Sequence, residues 1–329
     1  MANNACHSLV SGLRVPVASA PMFLVSGPAL VIAACQAGIV GAFPTTNART
    51  GEQLEQWMSE IVETLAAARD SDPTVVIGPW CANLITHSSN SRLHQDLALV
   101  AKYKPPIVIT ALGSPKPVME VVKNYGGVVI ADVVNLTLAR KAVDAGADGL
   151  ACICAGAGGH TGHLSPFAFS SAVREFFDGL LIVGGAIADG AGVAGAIAAG
   201  ADLIYMGTRF LPTEESQAVL AYKEMVVASG IDDLIVSAGI TGTPASWLKP
   251  SLVASGLDPA NLGESLQKNY DSTQGAHVNR WKDTWSAGQG LGTVRAIEPV
   301  RAVVDRLVVE YDAAVRRLAG RHVPTEARA

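Results

Sequence analysis

One phrase recurs along this chain and restricts its fold more than anything else. Ala145-Gly146-Ala147-Asp148 leads into the apolar run Gly149 to Cys154, and Ala199-Gly200-Ala201-Asp202 leads into Leu203-Ile204-Tyr205-Met206-Gly207. Gln36-Ala37-Gly38 before Ile39-Val40-Gly41 is a weaker copy. Each copy reads as a helix ended by glycine, a short turn and a buried strand. Repeated helix–glycine–strand units imply parallel strands joined by crossover helices.

Eight such runs are present: Arg14 to Ala20, Ile39 to Ala42, Thr74 to Gly78, Ile107 to Thr110, Val128 to Asp132, Gly149 to Cys154, Leu181 to Gly185 and Leu203 to Gly207. Helical periodicity lies between them, as in Leu54-Trp57-Ile61-Leu65, Leu93-Leu97-Val100, Val118-Val122 and Leu138-Ala142-Val143. An open doubly wound sheet is the alternative, but eight parallel strands are the number that closes. The expected fold is therefore α/β, a (β/α)8 TIM barrel. The pattern changes after Arg209-Phe210-Leu211-Pro212. Glu214 to Ser229 looks helical, Asp232 to Pro250 is mixed, and His277 to Thr284 is polar. Residues 213–285 are read as a smaller lid lobe inserted near the C-terminus. Residues 1–212 and 286–329 form the barrel, with an amphipathic helix over Ile297 to Leu318 packing back on it. The residues after Gly320 are expected to fray.

Composition narrows the function. Only 16% of the 329 residues are charged, 49% are hydrophobic and 33 are glycine, which suits buried parallel strands and tight turns. The net charge is −5 with no basic block, so neither nucleic acid nor an anionic membrane is expected as a partner. No apolar stretch suits a membrane span, and Met1 to Ser8 lacks the pattern of a secretory leader. The five cysteines show no C-x-x-C pair and read as buried small hydrophobes in a reducing, cytoplasmic setting.

The candidate chemistry clusters at the C-terminal ends of the runs, where such barrels place their sites. His160 stands in Ala155-Gly156-Ala157-Gly158-Gly159-His160-Thr161-Gly162, just past the sixth run. Its imidazole can exchange a proton near neutral pH, and the glycines leave room for a ligand. A structural histidine is the competing reading. His163 lies three residues on, but two histidines without a third ligand do not make a metal site, and no metal is expected. Gly184-Gly185 ends the seventh run and Met206-Gly207-Thr208 the eighth. Backbone N–H groups of Gly185, Ala186, Gly207 and Thr208 could hold a phosphate there, although tight packing would also select small residues. Asn83, after the third run, offers the donor and acceptor that a heterocycle edge needs, or caps a turn. Met22, in Ala20-Pro21-Met22, lines the mouth. Asp132 ends the fifth run and can orient a polar ligand group, bind a metal or pair with Lys141.

With these pieces placed, the chain resembles the nitronate monooxygenase family, formerly called 2-nitropropane dioxygenases. The matching phrases are Ala20-Pro21-Met22, Asn83, the glycine-rich segment through His160, Gly184-Gly185-Ala186-Ile187, Tyr205-Met206-Gly207-Thr208-Arg209-Phe210 and Trp285-Ser286-Ala287-Gly288-Gln289-Gly290. They run in the family's order over most of the chain. The resemblance implies an FMN-containing barrel with a lid, His160 as catalytic base, and FMN contacts from Met22, Asn83, Gly159, Gly184, Gly185, Gly207 and Thr208. It implies that Ser286 and Gln289 close over the flavin. Many members carry a basic residue at the end of the fifth strand; here Asp132 takes that place among the cofactor contacts. The implied reaction is oxidation of an alkyl nitronate or nitroalkane by O2 to a carbonyl compound and nitrite; a homodimer is a candidate assembly. The same flavin barrel serves NAD(P)H-dependent quinone and enoyl-thioester reductases, and fold alone does not choose among them. A flavin-binding protein without turnover is the remaining alternative.

Overall fold

Parallel pairing closes eight strands on themselves. The computed structural model describes residues 2–263 and 281–321. In chain order its strands are β1 (Val17–Ser19), β2 (Val40–Pro44), β3 (Trp80–Ile85), β4 (Ile107–Ala111), β5 (Val128–Val133), β6 (Gly149–Ile153), β7 (Gly159–His160), β8 (Leu180–Gly184), β9 (Leu203–Met206), β10 (Leu234–Ser237) and β11 (Ala245–Leu248). The barrel order is β1-β2-β3-β4-β5-β6-β8-β9, and Ala18 pairs with both Val40 of β2 and Tyr205 of β9 to close it. The molecule is a (β/α)8 barrel.

Alternation along each strand divides the core. Ala18, Ala42, Cys81, Ile109, Ile130, Ala151, Ile182 and Tyr205 come one from each strand and pack together in the lumen. Their neighbours along the strands pack outward against the helices. Helix Ala2–Ser11 sets Cys6 and Val10 against the lumen cluster.

The third strand departs from expectation. It spans Trp80–Ile85, not Thr74 to Gly78. Val75 and Val76 are 43% and 40% exposed, so their apolar run belongs to the connection. The true strand was hidden because Asn83 interrupts its apolar pattern. The helix after Thr213 is also shorter than expected, at Leu220–Ala228. Buried Lys223 explains the difference. Its ammonium donates to the carbonyls of Thr213, Glu214 and Ser216 at 2.7, 3.3 and 3.0 Å, which turns those carbonyls away from a helical ladder.

A second sheet, ordered β10-β11-β7, lies apart from the barrel sheet. Two of its strands come from the segment after Thr213. The third comes from the loop after β6, with Ala245 paired to His160 and Ser246 to Gly159. Residues 264–280, including His277, and those after Arg321 lie outside the described residues. The last helix, Val300–Ala319, buries Val300, Val303, Val304 and Leu307 against the barrel layer, and Glu310 accepts from the Gly190 N–H at 2.9 Å.

Arg209, only 4% exposed, pairs with Glu298 at 3.2 Å, and Glu298 also holds Arg306 at 2.6 Å. This ties the loop after β9 to the start of the last helix. Removing one partner of a buried pair strands the other charge. Glu298→Ala should therefore strand buried Arg209 and lose about 3–5 kcal/mol in urea unfolding. The exposed Arg301–Asp305 pair provides the contrast: Arg301→Ala should lose less than about 1 kcal/mol.

Candidate active site

The C-terminal ends of the barrel strands converge with the second sheet around His160. Its imidazole is half-buried and meets the Trp281 ring edge-on, with centroids 5.2 Å apart. Trp281 in turn stacks on fully buried Trp247 at 4.5 Å. Burial lowers the His160 pKa below its ordinary 6.5, so the ring is held neutral. His163 is exposed, past the Thr161 turn. Gly159, with φ +66°, leaves open the space beside Trp281 and the Ser286 hydroxyl.

Three mouth loops meet the segment returning at 285–290. The Gln289 N–H donates to the Gly156 carbonyl at 2.9 Å, and the Gly288 N–H donates to Thr208 Oγ1 at 2.8 Å. Ser246 Oγ donates to the Ala287 carbonyl at 2.7 Å. The Tyr222 hydroxyl donates to the Ser286 carbonyl and accepts from the Ser286 N–H, while its ring stacks on Trp285. Gly159, Ser286, Gln289, Thr208 and His160 are thus brought together. Met22 joins them through Gly207, where an added Cβ would lie 3.5 Å from its sulfur. The Met22 N–H is already used by Ser26 Oγ at 3.0 Å, and Asn47 Nδ2 donates to its carbonyl at 2.9 Å.

Asn83 and Asp132 lie lower, on the lumen faces of β3 and β5. Among the described residues Asn83 Nδ2 and Asp132 Oδ1 are buried with no hydrogen-bond partner, and so is the Tyr205 hydroxyl on β9. An unsatisfied buried polar group costs about 1–3 kcal/mol, so three of them around one lumen suit a polar ligand that completes them. No ion pair joins Asp132 to Lys141 among the described residues; Lys141 points outward from helix Leu136–Asp144. Burial pushes the Asp132 carboxyl up to about 7. Among the described residues no group of three or more His, Cys, Asp or Glu side chains could hold a metal.

The glycines separate into two kinds. Gly185 has φ +141°, and a Cβ there would sit 2.7 Å from the Ala155 carbonyl. A Cβ on Gly184 would sit 2.9 Å from that of Tyr205. The fold itself requires both. Gly207 is different, because a Cβ there would make only ordinary contacts. Its smallness has no explanation in the protein alone and suits a ligand approaching the backbone. Among the described residues the N–H groups of Gly185, Gly207 and Thr208 meet no backbone acceptor. The Ala186 N–H does not join them, since it donates to the Gly156 carbonyl at 3.2 Å.

The family model for nitronate monooxygenase matches residues 6–310. The chain belongs to this family. Among curated relatives, the nitronate monooxygenase of Paraburkholderia phytofirmans is 27% identical over 289 residues, covering 75% of this chain and 77% of that protein. The 5-hydroxy-7a-methyl-1-oxo-octahydro-1H-indene-4-carboxyl-CoA dehydrogenase of Rhodococcus jostii is 30% identical over 244 residues, 74% of this chain. That match spans 65% of the dehydrogenase's own length. Among solved structures, FabK from Thermotoga maritima superposes with TM-score 0.75 at 25% identity, covering 95% of this chain and 97% of that one. A nitroalkane oxidase from Streptomyces ansochromogenes superposes with TM-score 0.78 at 20% identity, covering 94% and 99%, and shares the fold. Nitronate monooxygenases are flavoenzymes, and a flavin cofactor goes with membership. The lumen's unpartnered polar groups and the open backbone at Gly207 fit such a group.

Tyr205, Trp247 and Trp281 receive no site role from the sequence. The period-two pattern Leu203, Tyr205, Gly207 could have placed Tyr205 on the lumen face; nothing local marks the two tryptophans. The glycine analysis yields a stability contrast. Gly185→Ala should lower stability by about 1–3 kcal/mol, from left-handed strain and the close carbonyl. Gly207→Ala in the flavin-free protein should stay within about 0.5 kcal/mol of the parent in thermal unfolding.

Proposed function

We propose that this chain is an FMN-dependent oxidoreductase that converts alkyl nitronates, with O2, to carbonyl compounds and nitrite. The neutral, desolvated His160 imidazole at the mouth carries the reading, within a family of flavoenzymes. Met22, Asn83, Asp132, Gly159, Gly184, Gly185, Gly207, Thr208, Ser286 and Gln289 would hold FMN. Its phosphate would lie at the N–H groups of Gly185, Gly207 and Thr208. FMN, when bound, supplies electron transfer between the organic substrate and O2. The segment 213–285 would cover it.

The chain's own part is proton handling and exclusion of water. His160 Nδ1 or Nε2, neutral because of burial, takes the α-proton of a neutral nitroalkane. With a pre-formed nitronate no carbon-bound proton remains, and the ring serves as a hydrogen-bond partner to the nitro group. Trp281 and Trp247 give the imidazole an apolar wall on one side.

The Rhodococcus dehydrogenase supports a second reading, in which the substrate is an acyl-CoA thioester. His160 would then handle a proton of the acyl portion. Anaerobic mixing distinguishes the readings. Direct flavin reduction by a nitronate supports the first. Flavin reduction by an acyl-CoA, or by NAD(P)H with acyl-CoA turnover, supports the second. Reduction by none of these marks a flavin-binding protein without turnover.

His160→Asn should keep FMN but lose about 10²–10⁴ in kcat/KM on a neutral nitroalkane, and less on its nitronate. His163→Asn should change either by no more than about three-fold. The parent's kcat/KM on the nitroalkane should rise as the imidazole deprotonates. Because burial lowers its pKa, that rise should be centred below the pH at which an ordinary histidine titrates, and it should vanish in His160→Asn. A dead His163→Asn beside an active His160→Asn would reverse the assignment. Gly207→Val should fold yet purify without FMN.

A further inference from the structure

We propose that Asp132 presents a neutral carboxylic acid to the bound flavin from the floor of the mouth, and so makes the flavin's electron affinity fall more steeply with pH above neutrality. This rests on the flavin reading above. The placement comes from β5 itself. Val128 and Ile130 pack in the lumen cluster, while Val129, Ala131 and Val133 pack outward. Asp132 is the next residue on the lumen face and the last before the strand ends. Its Oδ1 is buried and has no partner among the described residues.

Among the described residues no cation stands near enough to compensate a carboxylate there. The titratable side chains that act on it or feel it are Cys81 on β3, Cys152 on β6 and Tyr205 on β9. Burial raises all three, so the thiols and the phenol stay neutral near neutral pH. β1, β2, β4 and β8 carry no titratable residue. On the following helix, the Arg140 guanidinium lies 3.9 Å over the Phe176 ring and Lys141 faces outward. His160, in the second sheet, is itself kept neutral by burial. The acid form is therefore favoured up to about pH 7.

In that form Asp132 joins Asn83 Nδ2 and the Tyr205 hydroxyl, both buried and unpartnered. Three hydrogen-bond donors then face one lumen, which matches a ligand rich in acceptors, as the polar edge of a flavin is. Above about pH 7 the acid becomes an uncompensated carboxylate. A negative charge beside the flavin opposes the arrival of electrons. The sign is thus opposite to that of a cation at this position, which would favour reduction at every pH.

The test is the reduction potential of the bound flavin in the parent and in Asp132→Asn, from about pH 6 to about pH 9 by dye equilibration. The two should coincide at the acid end. Above neutrality the parent should fall progressively below Asp132→Asn, with the gap levelling once the acid is fully ionised. Two proteins that both hold flavin but show no gap, or a gap independent of pH, overturn the proposal. A parent that binds no flavin, visible beforehand in its absorption spectrum, overturns the flavin reading and this proposal with it. Should Asp132→Asn fail to fold, infrared difference spectra of the flavin-loaded parent decide. A protonated carboxyl stretch that disappears through about pH 7 supports the proposal, and its absence at about pH 6 refutes it.

Discussion

Two backbones touch at Gly158 and Gly288, and the mouth is organised around that contact. A Cβ on Gly158 would lie 2.7 Å from the Gly288 nitrogen, and one on Gly288 would lie 2.6 Å from the Gly156 carbonyl oxygen. Only two glycines allow so close an approach. With the segment seated there, Gln289 reaches the Gly156 carbonyl, Gly288 reaches Thr208, and Ala287 receives Ser246. The loops after β6 and β9 and strand β11 are fastened to one strip of chain. The barrel alone would bring strand ends together; this contact sets the distance between the loops that leave them.

The barrel was legible because its signal is repeated. A helix closed by glycine and followed by an apolar run needs no partner in view to be recognised, and seven of the eight runs lie on or beside the strands observed. The third run failed for a physical reason. A strand whose lumen face carries Asn83 has a diluted apolar pattern, while Val75 to Ile77 nearby looked better and sits in a connection. A mouth-lining strand is least readable where it is most useful. The second sheet escaped for another reason: β7 is two residues long and exists only because β11 pairs with it.

At the site, residue types were easier to read than their roles. Gly185 and Gly207 look alike in sequence, yet the fold demands one and tolerates a side chain at the other. Asp132 invited pairing with Lys141, because helix and strand are neighbours in the chain. Strand alternation sends the carboxylate into the lumen and the helix carries the lysine outward, so the two never meet. Trp281 reaches His160 from far along the chain with Trp247 stacked behind it, and no local pattern predicts such a stack.

β7 belongs to the barrel by sequence and to the second sheet by hydrogen bonding. Ala245 pairs with His160 itself, and Trp247, two residues on, supports the tryptophan that touches the imidazole. The ring therefore rides on the same piece of structure that flanks the entrance. If that piece shifts to admit a molecule, the imidazole must travel with it or break its pairing. The position of the imidazole and the shape of the entrance are thus fixed by the same small sheet.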